Sequence, residues 1–159
     1  MTSRISKIYN IRTTLFLLTT IIYLIEPTES GALQLTEQNF NTTLDSNELA
    51  FIMFYTDWCR HSRALMPIFD ETADGIAKEF PEAGKVVLGR VECEREMSIC
   101  AKYEVRRWPT LLPFSNLPPE NRKKYTGNRT VEALTTFVKD QWKELKELKE
   151  RKELKSESE

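Results

Sequence analysis

Seven apolar and aromatic residues stand in unbroken succession at Leu49-Ala50-Phe51-Ile52-Met53-Phe54-Tyr55. A strand with one face in water alternates apolar and polar side chains. A run without alternation is covered on both faces, as in the centre of a sheet that carries helices on each side. Val86-Val87-Leu88-Gly89-Arg90-Val91 reads as a second buried strand. Between the two, Leu65, Ile68, Phe69, Ala73, Ile76, Ala77 and Phe80 recur at helical spacing, which predicts a helix from Cys59 to Phe80. Pro67 lies inside that helix and predicts a kink.

The other elements are shorter. Leu33 to Leu35 is a candidate strand, and Thr36 caps a helix through Leu44, with Thr36-Glu37-Gln38-Asn39 giving a partial cap signature. A short helix is expected from Glu94 to Tyr103, and a third strand from Leu111 to Phe114, after Trp108-Pro109-Thr110. Pro118-Pro119-Glu120-Asn121 reads as a loop, and Lys123 to Thr126 as an edge strand ending at Gly127. A last helix begins after Asn128, with Val131, Leu134, Phe137 and Val138 on one face. This order gives an α/β fold, a central mixed sheet with helices on both faces.

At 159 residues the chain holds one ordinary domain. Its formal net charge of −1 does not point to nucleic acid. Residues 1–30 read as a secretory signal peptide. Arg4, Lys7 and Arg12 make the basic region, Leu15 to Ile25 the apolar stretch, and Thr28, Ser30, Gly31 and Ala32 the small residues of a cleavage region. The apolar stretch is short against the roughly 20 residues of a spanning helix, so no membrane attachment is expected after cleavage. The domain is expected over 31–141. A charged helical tail follows over 142–159, solvated and laced with Glu–Lys pairs, its Leu145, Leu148 and Leu154 too thin a stripe to demand a partner.

Two sequons, at Asn41 and Asn128, support a secretory route and mark candidate glycosylation sites. The chain ends Ser156-Glu157-Ser158-Glu159 without a Lys-Asp-Glu-Leu type retrieval signal. The expectation is therefore the lumen of the early secretory pathway, with secretion left open.

Three cysteines is an odd number for an oxidising compartment. Cys93 and Cys100 are placed so that a disulfide can bridge the strand–helix turn, if their Cβ vectors converge. The alternative is that both are reduced and buried. Cys59 is then the unpaired thiol, since bonding it to either of the others would consume the exposed site.

Cys59 sits in Trp58-Cys59-Arg60-His61-Ser62, where a buried strand gives way to a helix. Helix-terminal amides and the macrodipole favour an anion there. Arg60 and His61 add positive charge, and Ser62 can donate a hydrogen bond to the thiolate. Thiolate attack on a client sulfur makes a mixed disulfide. A second thiol three residues on would resolve that adduct; Ser62 stands there instead. Trp108 and Pro109 are expected to form the opposite wall.

Phe54-Tyr55-Thr56-Asp57-Trp58-Cys59, then Val91-Glu92-Cys93, then Tyr103-Glu104-Val105-Arg106-Arg107-Trp108-Pro109-Thr110-Leu111 together resemble a thioredoxin domain of the protein disulfide isomerase family, over roughly Leu33 to Gln141. The resemblance implies a single thioredoxin fold, with Pro109 as the cis-proline beside the active site and Cys93–Cys100 as a structural disulfide. It implies client contacts at Trp58, Trp108, Pro109 and Thr110. It is strongest with a single-cysteine member that captures clients and oxidoreductases and retains unassembled proteins.

Arg106 falls where active isomerases keep an arginine that tunes the second thiol. Met53 falls where they keep a buried glutamate for proton transfer. Without that acid and without a thiol at Ser62, dithiol cycling is not expected, and enzymatic activity is at most weak thiol–disulfide exchange. The implied partners are cysteine-bearing secretory clients and lumenal oxidoreductases; no cofactor and no metal is expected. Two alternatives compete: a monothiol reductase or isomerase regenerated by glutathione, and a non-redox binding or membrane-anchored module.

Overall fold

The two apolar runs pair with each other. In the computed structural model, which describes residues 31–115 and 124–156, Leu49 to Tyr55 lies parallel to Val86 to Glu92, Ile52 opposite Gly89 and Met53 opposite Arg90. The elements in chain order are β1 (Leu33–Leu35), α1 (Phe40–Ser46), β2 (Leu49–Tyr55), α2 (Arg60–Glu79), β3 (Val86–Glu92), α3 (Met97–Lys102), β4 (Thr110–Ser115) and α4 (Val131–Ser156). Sheet order is β1-β3-β2-β4, with β4 antiparallel to β2 and the others parallel. The mixed sheet and its helices form a single thioredoxin fold.

Every residue of β2 is buried, and its two faces feed two cores. Phe51, Met53 and Tyr55 meet Leu65, Phe69 and Ile76 of α2 and Leu134, Val138 and Leu145 of α4. Ala50, Ile52 and Phe54 meet Phe40, Cys93, Ile99, Cys100 and Phe114. Each large side chain so buried contributes about 1.5–3 kcal/mol. Gly89 leaves room for the Leu35 side chain of β1: a Cβ there would lie 2.5 Å from Leu35 Cδ1.

Helix α2 continues through Pro67, whose ring removes the backbone bond to Arg63. Several boundaries differ from expectation. The helix expected from Thr36 starts at Phe40, because Asn39 Oδ1 accepts the Thr36 N–H at 2.8 Å and the Thr36 carbonyl accepts the Asn39 and Phe40 N–H groups. That local turn competes with the first helical turn. The helix expected from Glu94 starts at Met97, since the Glu92 carboxylate takes the Arg95 N–H at 2.8 Å and its carbonyl the Glu96 N–H at 2.9 Å.

Of the expected edge strand, Lys123 lies outside the described residues, as does the loop at 118–121. Lys124 to Thr126 is not a strand, although the Tyr125 N–H donates to the Leu111 carbonyl at 3.0 Å. The boundary expected at Gln141 falls inside α4, which runs on without a break. Beyond it Trp142 stacks edge-on against Phe80 at 5.6 Å, Leu145 is 2 % exposed, and Lys149 pairs with Glu48. The helix is exposed on every side only from Glu150 to Ser156; before that, Lys143, Glu144 and Glu147 face solvent while Leu145 is buried.

Candidate active site

Cys59 occupies the N-cap of α2, in extended conformation (φ −70°, ψ 115°), directly past the end of β2. Its N–H donates to the Thr56 carbonyl at 3.2 Å, and its carbonyl accepts the Arg63 N–H at 3.0 Å. The strand-to-helix turn thus fixes the backbone and leaves the sulfur half-buried at the helix entrance. Across from it, the Trp108–Pro109 peptide bond is cis, and the Cys59 thiol donates to the Trp108 carbonyl at 3.5 Å.

The Cys59 thiol is held below its ordinary range. The Ser62 hydroxyl is the largest influence, followed by the Ser62 N–H, with the His61 N–H and the charge of Arg129 also lowering it; burial opposes them. Yet Ser62 Oγ is fully buried and has no partner of ordinary hydrogen-bond geometry among the described residues. The two observations agree if the hydroxyl engages sulfur only in the anion. A neutral thiol directs its proton to Trp108, whereas a thiolate must accept, and Ser62 is the side-chain donor at hand.

Arg60 and His61 lie exposed on the first turn of α2. The positive charge expected from their side chains is not among the larger influences on the sulfur; His61 acts through its backbone. Arg129, from the loop before α4, supplies charge instead. It is exposed, and its distance along the chain from Cys59 left no signal in the sequence.

Trp58 is 59 % exposed, donates its indole N–H to Glu94 at 2.7 Å, and meets Trp108 edge-to-face at 5.6 Å. These two rings flank Cys59 and form an apolar rim. Pro109 and Thr110 are buried. The Thr110 hydroxyl donates to the Arg107 carbonyl at 2.7 Å, which braces the loop before the cis-proline.

Cys93 and Cys100 are joined in a disulfide with Cα atoms 5.7 Å apart, tying the end of β3 to α3. Both are nearly buried, which leaves Cys59 as the remaining free thiol of the three. Met53 is fully buried among apolar neighbours. Asn41 on α1 and Asn128 before α4 are both exposed.

The fold and site can be compared with known proteins. The thioredoxin family model matches residues 31–140. Endoplasmic reticulum resident protein 44 of Homo sapiens is 36% identical over 132 residues, covering 83% of this chain and 32% of that one. Protein disulfide-isomerase 1 of Caenorhabditis elegans is 36% identical over 125 residues, covering 79% of this chain and 24% of that one. A crystal structure of human ERp44, form II, superimposes with a TM-score of 0.66 at 35% identity, covering 72% of this chain and 31% of that one. The chain spans about a third or less of the length of these relatives. With the sheet order, the N-cap cysteine and the cis-proline in place, the chain belongs to the thioredoxin family.

Proposed function

We propose that this is a thiol-trapping protein of the endoplasmic reticulum lumen, which holds cysteine-bearing secretory clients and lumenal oxidoreductases through Cys59 for folding quality control. The observation that carries the reading is the pairing of a free, acidified Cys59 with a buried hydroxyl at Ser62, where a resolving thiol would stand. The endoplasmic reticulum in the name of a similar protein supports the compartment. Exposure of Asn41 and Asn128 is compatible with glycosylation there.

The chemistry is thiol–disulfide exchange. The Cys59 thiolate attacks one sulfur of a client disulfide, or of a client cysteine already bonded to glutathione. One S–S bond forms as the other breaks, and the second sulfur leaves as a thiolate, with no net oxidation. Release in a dithiol protein is intramolecular and fast because the second thiol is held beside the adduct. Ser62 cannot attack sulfur in this way, so the adduct waits for an external thiol. The exposed Trp58 ring and the Trp108 edge give the client apolar contact at the moment of attack.

The test is an alkylation-quenched pull-down from secretory cells, resolved without and with reductant. Reducible adducts that vanish in Cys59→Ala support the reading. Equal adduct levels in the two proteins overturn it. Rapid turnover of a scrambled disulfide with glutathione, abolished in Cys59→Ala, would replace trapping by monothiol catalysis.

A further inference from the structure

At the entry to β1 the backbone is held by two carboxylates of α2. The Gly31 nitrogen donates to Asp74 Oδ1 at 2.6 Å, and the Ala32 nitrogen donates to Asp70 Oδ1 at 3.0 Å. Asp70 is matched by Arg90, whose Nη1 lies 2.8 and 2.7 Å from its two oxygens. Asp74 is half-buried, and among the described residues it has no cation: its one hydrogen-bond partner there is Gly31. Of the two carboxylates, only Asp70 is paired with the guanidinium. Gly31 has φ +90°, and a Cβ on it would come within 3.1 Å of the Asp70 carboxyl. Glycine lets the chain nitrogen approach this acidic pair.

A second and independent pointer to the same place lies in the residue order. Small residues at the first and third positions before a cut mark a leader-cleavage site. Two bonds satisfy this here: Ser30–Gly31, preceded by Ser30 and Thr28, and Ala32–Leu33, preceded by Ala32 and Ser30. The structure separates them. Ala32 is 5 % exposed and belongs to the core around Phe51 and Phe69. Cutting after it would delete that core contact and both backbone donors, the Gly31 N–H that Asp74 accepts and the Ala32 N–H that Asp70 accepts.

We propose that the mature protein begins at Gly31, and that its new α-ammonium is clasped by Asp74 beside the Asp70–Arg90 pair. In the cut, water adds across the Ser30–Gly31 peptide bond under a leader peptidase. Ser30 leaves as a carboxylate and the Gly31 nitrogen takes up a proton. An α-amino group titrates at about 7.7–8.0 in peptides, so it is mostly cationic at neutral pH. The ammonium supplies the positive charge Asp74 lacks and three donors where an amide has one, and charge-assisted bonds of this kind are the stronger ones. Removal of the leader therefore completes the folded domain, and the processed chain is more stable than one extended by even a single residue. This inference rests on the secretory reading of residues 1–30, and is independent of whether Cys59 traps clients.

Two measurements test it. The full chain is expressed in a secretory cell, and the amino-terminal peptide of the isolated product is read by mass spectrometry. A start at Gly31 is expected. A start at Leu33 or Ser30 overturns the inference while leaving the secretory reading intact; a retained leader overturns both. Second, chains beginning at Gly31 and at Ser30 are compared by thermal unfolding, each with and without Asp74→Asn. The Gly31 chain should melt about 2–4 °C higher, a shift of the size that one charge pair gives in a domain of this length, and Asp74→Asn should erase the difference. Equal melting of the two parent chains, or a difference that survives Asp74→Asn, shows that the ammonium is not held there.

Discussion

Glu48, at the entry to β2, takes Lys149 of the last helix on one carboxylate oxygen and Lys85 on the other, the latter at 3.0 Å. Lys149 stands 101 residues further along the chain, so this carboxylate pins the charged end of α4 to the start of the central strand. Hydrogen bonds from Lys149 and then Lys85 lower its pKa from 4.5 to about 2, against a smaller opposing effect of burial. A carboxylate depressed by folding stabilises the fold above its unfolded pKa, and that stability is lost as pH falls through the folded value. The loss here should run from about pH 4.5 down to about 2. Glu48→Gln should lower stability at pH 7 by about 1 kcal/mol, the range of partly exposed ion pairs. It should also flatten the stability–pH curve across that window, as read by urea unfolding at a series of pH values.

The nucleophile makes a different pH prediction. Because Ser62 is the largest influence lowering the Cys59 pKa, Ser62→Ala should move the midpoint of iodoacetamide alkylation upward, toward the ordinary thiol value of 9.0. Arg129→Ala should move it in the same direction and less, since its charge ranks last among the lowering influences. The Arg129 effect should fade in high salt, because an exposed charge is screened. The Ser62 effect should persist. A midpoint unmoved by Ser62→Ala would show that the hydroxyl does not meet the thiolate.

How much of this is legible in the residues alone depends on the range of the forces involved. The buried strands at Leu49–Tyr55 and Val86–Glu92 and the helix following Cys59 show in periodicity, because each is set by its own apolar pattern. Cys59 at the helix entrance follows from the same pattern. The late start of α1 is hidden because the Asn39 side chain bonds back to Thr36, a turn that the partial cap signature conceals. The reach of the Arg129 charge to Cys59 depends on tertiary packing alone, as does the embrace of Lys149 by Glu48. Burial of Leu145 is masked by the Lys and Glu around it: a residue amid charges reads as solvated until the helix is seen to lie across the core.

Restoring the missing thiol should convert the chemistry. Ser62 sits one helical turn into α2, fully buried beneath Cys59, so Ser62→Cys places a second sulfur where it can attack a mixed disulfide. The client leaves with its own thiol as an internal disulfide closes between Cys59 and the introduced sulfur. Steady-state adducts in the quenched pull-down should fall by at least about tenfold, since an intramolecular thiol has an effective concentration far above that of free glutathione. Insulin reduction with dithiothreitol should rise. Adducts that persist at wild-type levels would mean that something other than the absent thiol holds clients on Cys59.

The charged helix yields the sharpest contrast between two leucines. Leu145 is 2 % exposed and packs in the same core as Phe51, Phe69 and Leu134, whereas Leu154 is 67 % exposed on the same helix. Removing a buried leucine side chain costs the lost transfer energy plus that of the cavity left behind, about 2–5 kcal/mol. Leu145→Ala should therefore destabilise the domain by an amount in that range, and Leu154→Ala by less than about 0.5 kcal/mol, as expected for a surface site. Equilibrium urea unfolding of the two variants decides the matter. A domain that ended at Gln141 would show no difference between them. A large cost at Leu145 alone would place the first turns of the charged segment within the folding unit, with Trp142 against Phe80 and Lys149 on Glu48 as the contacts flanking it.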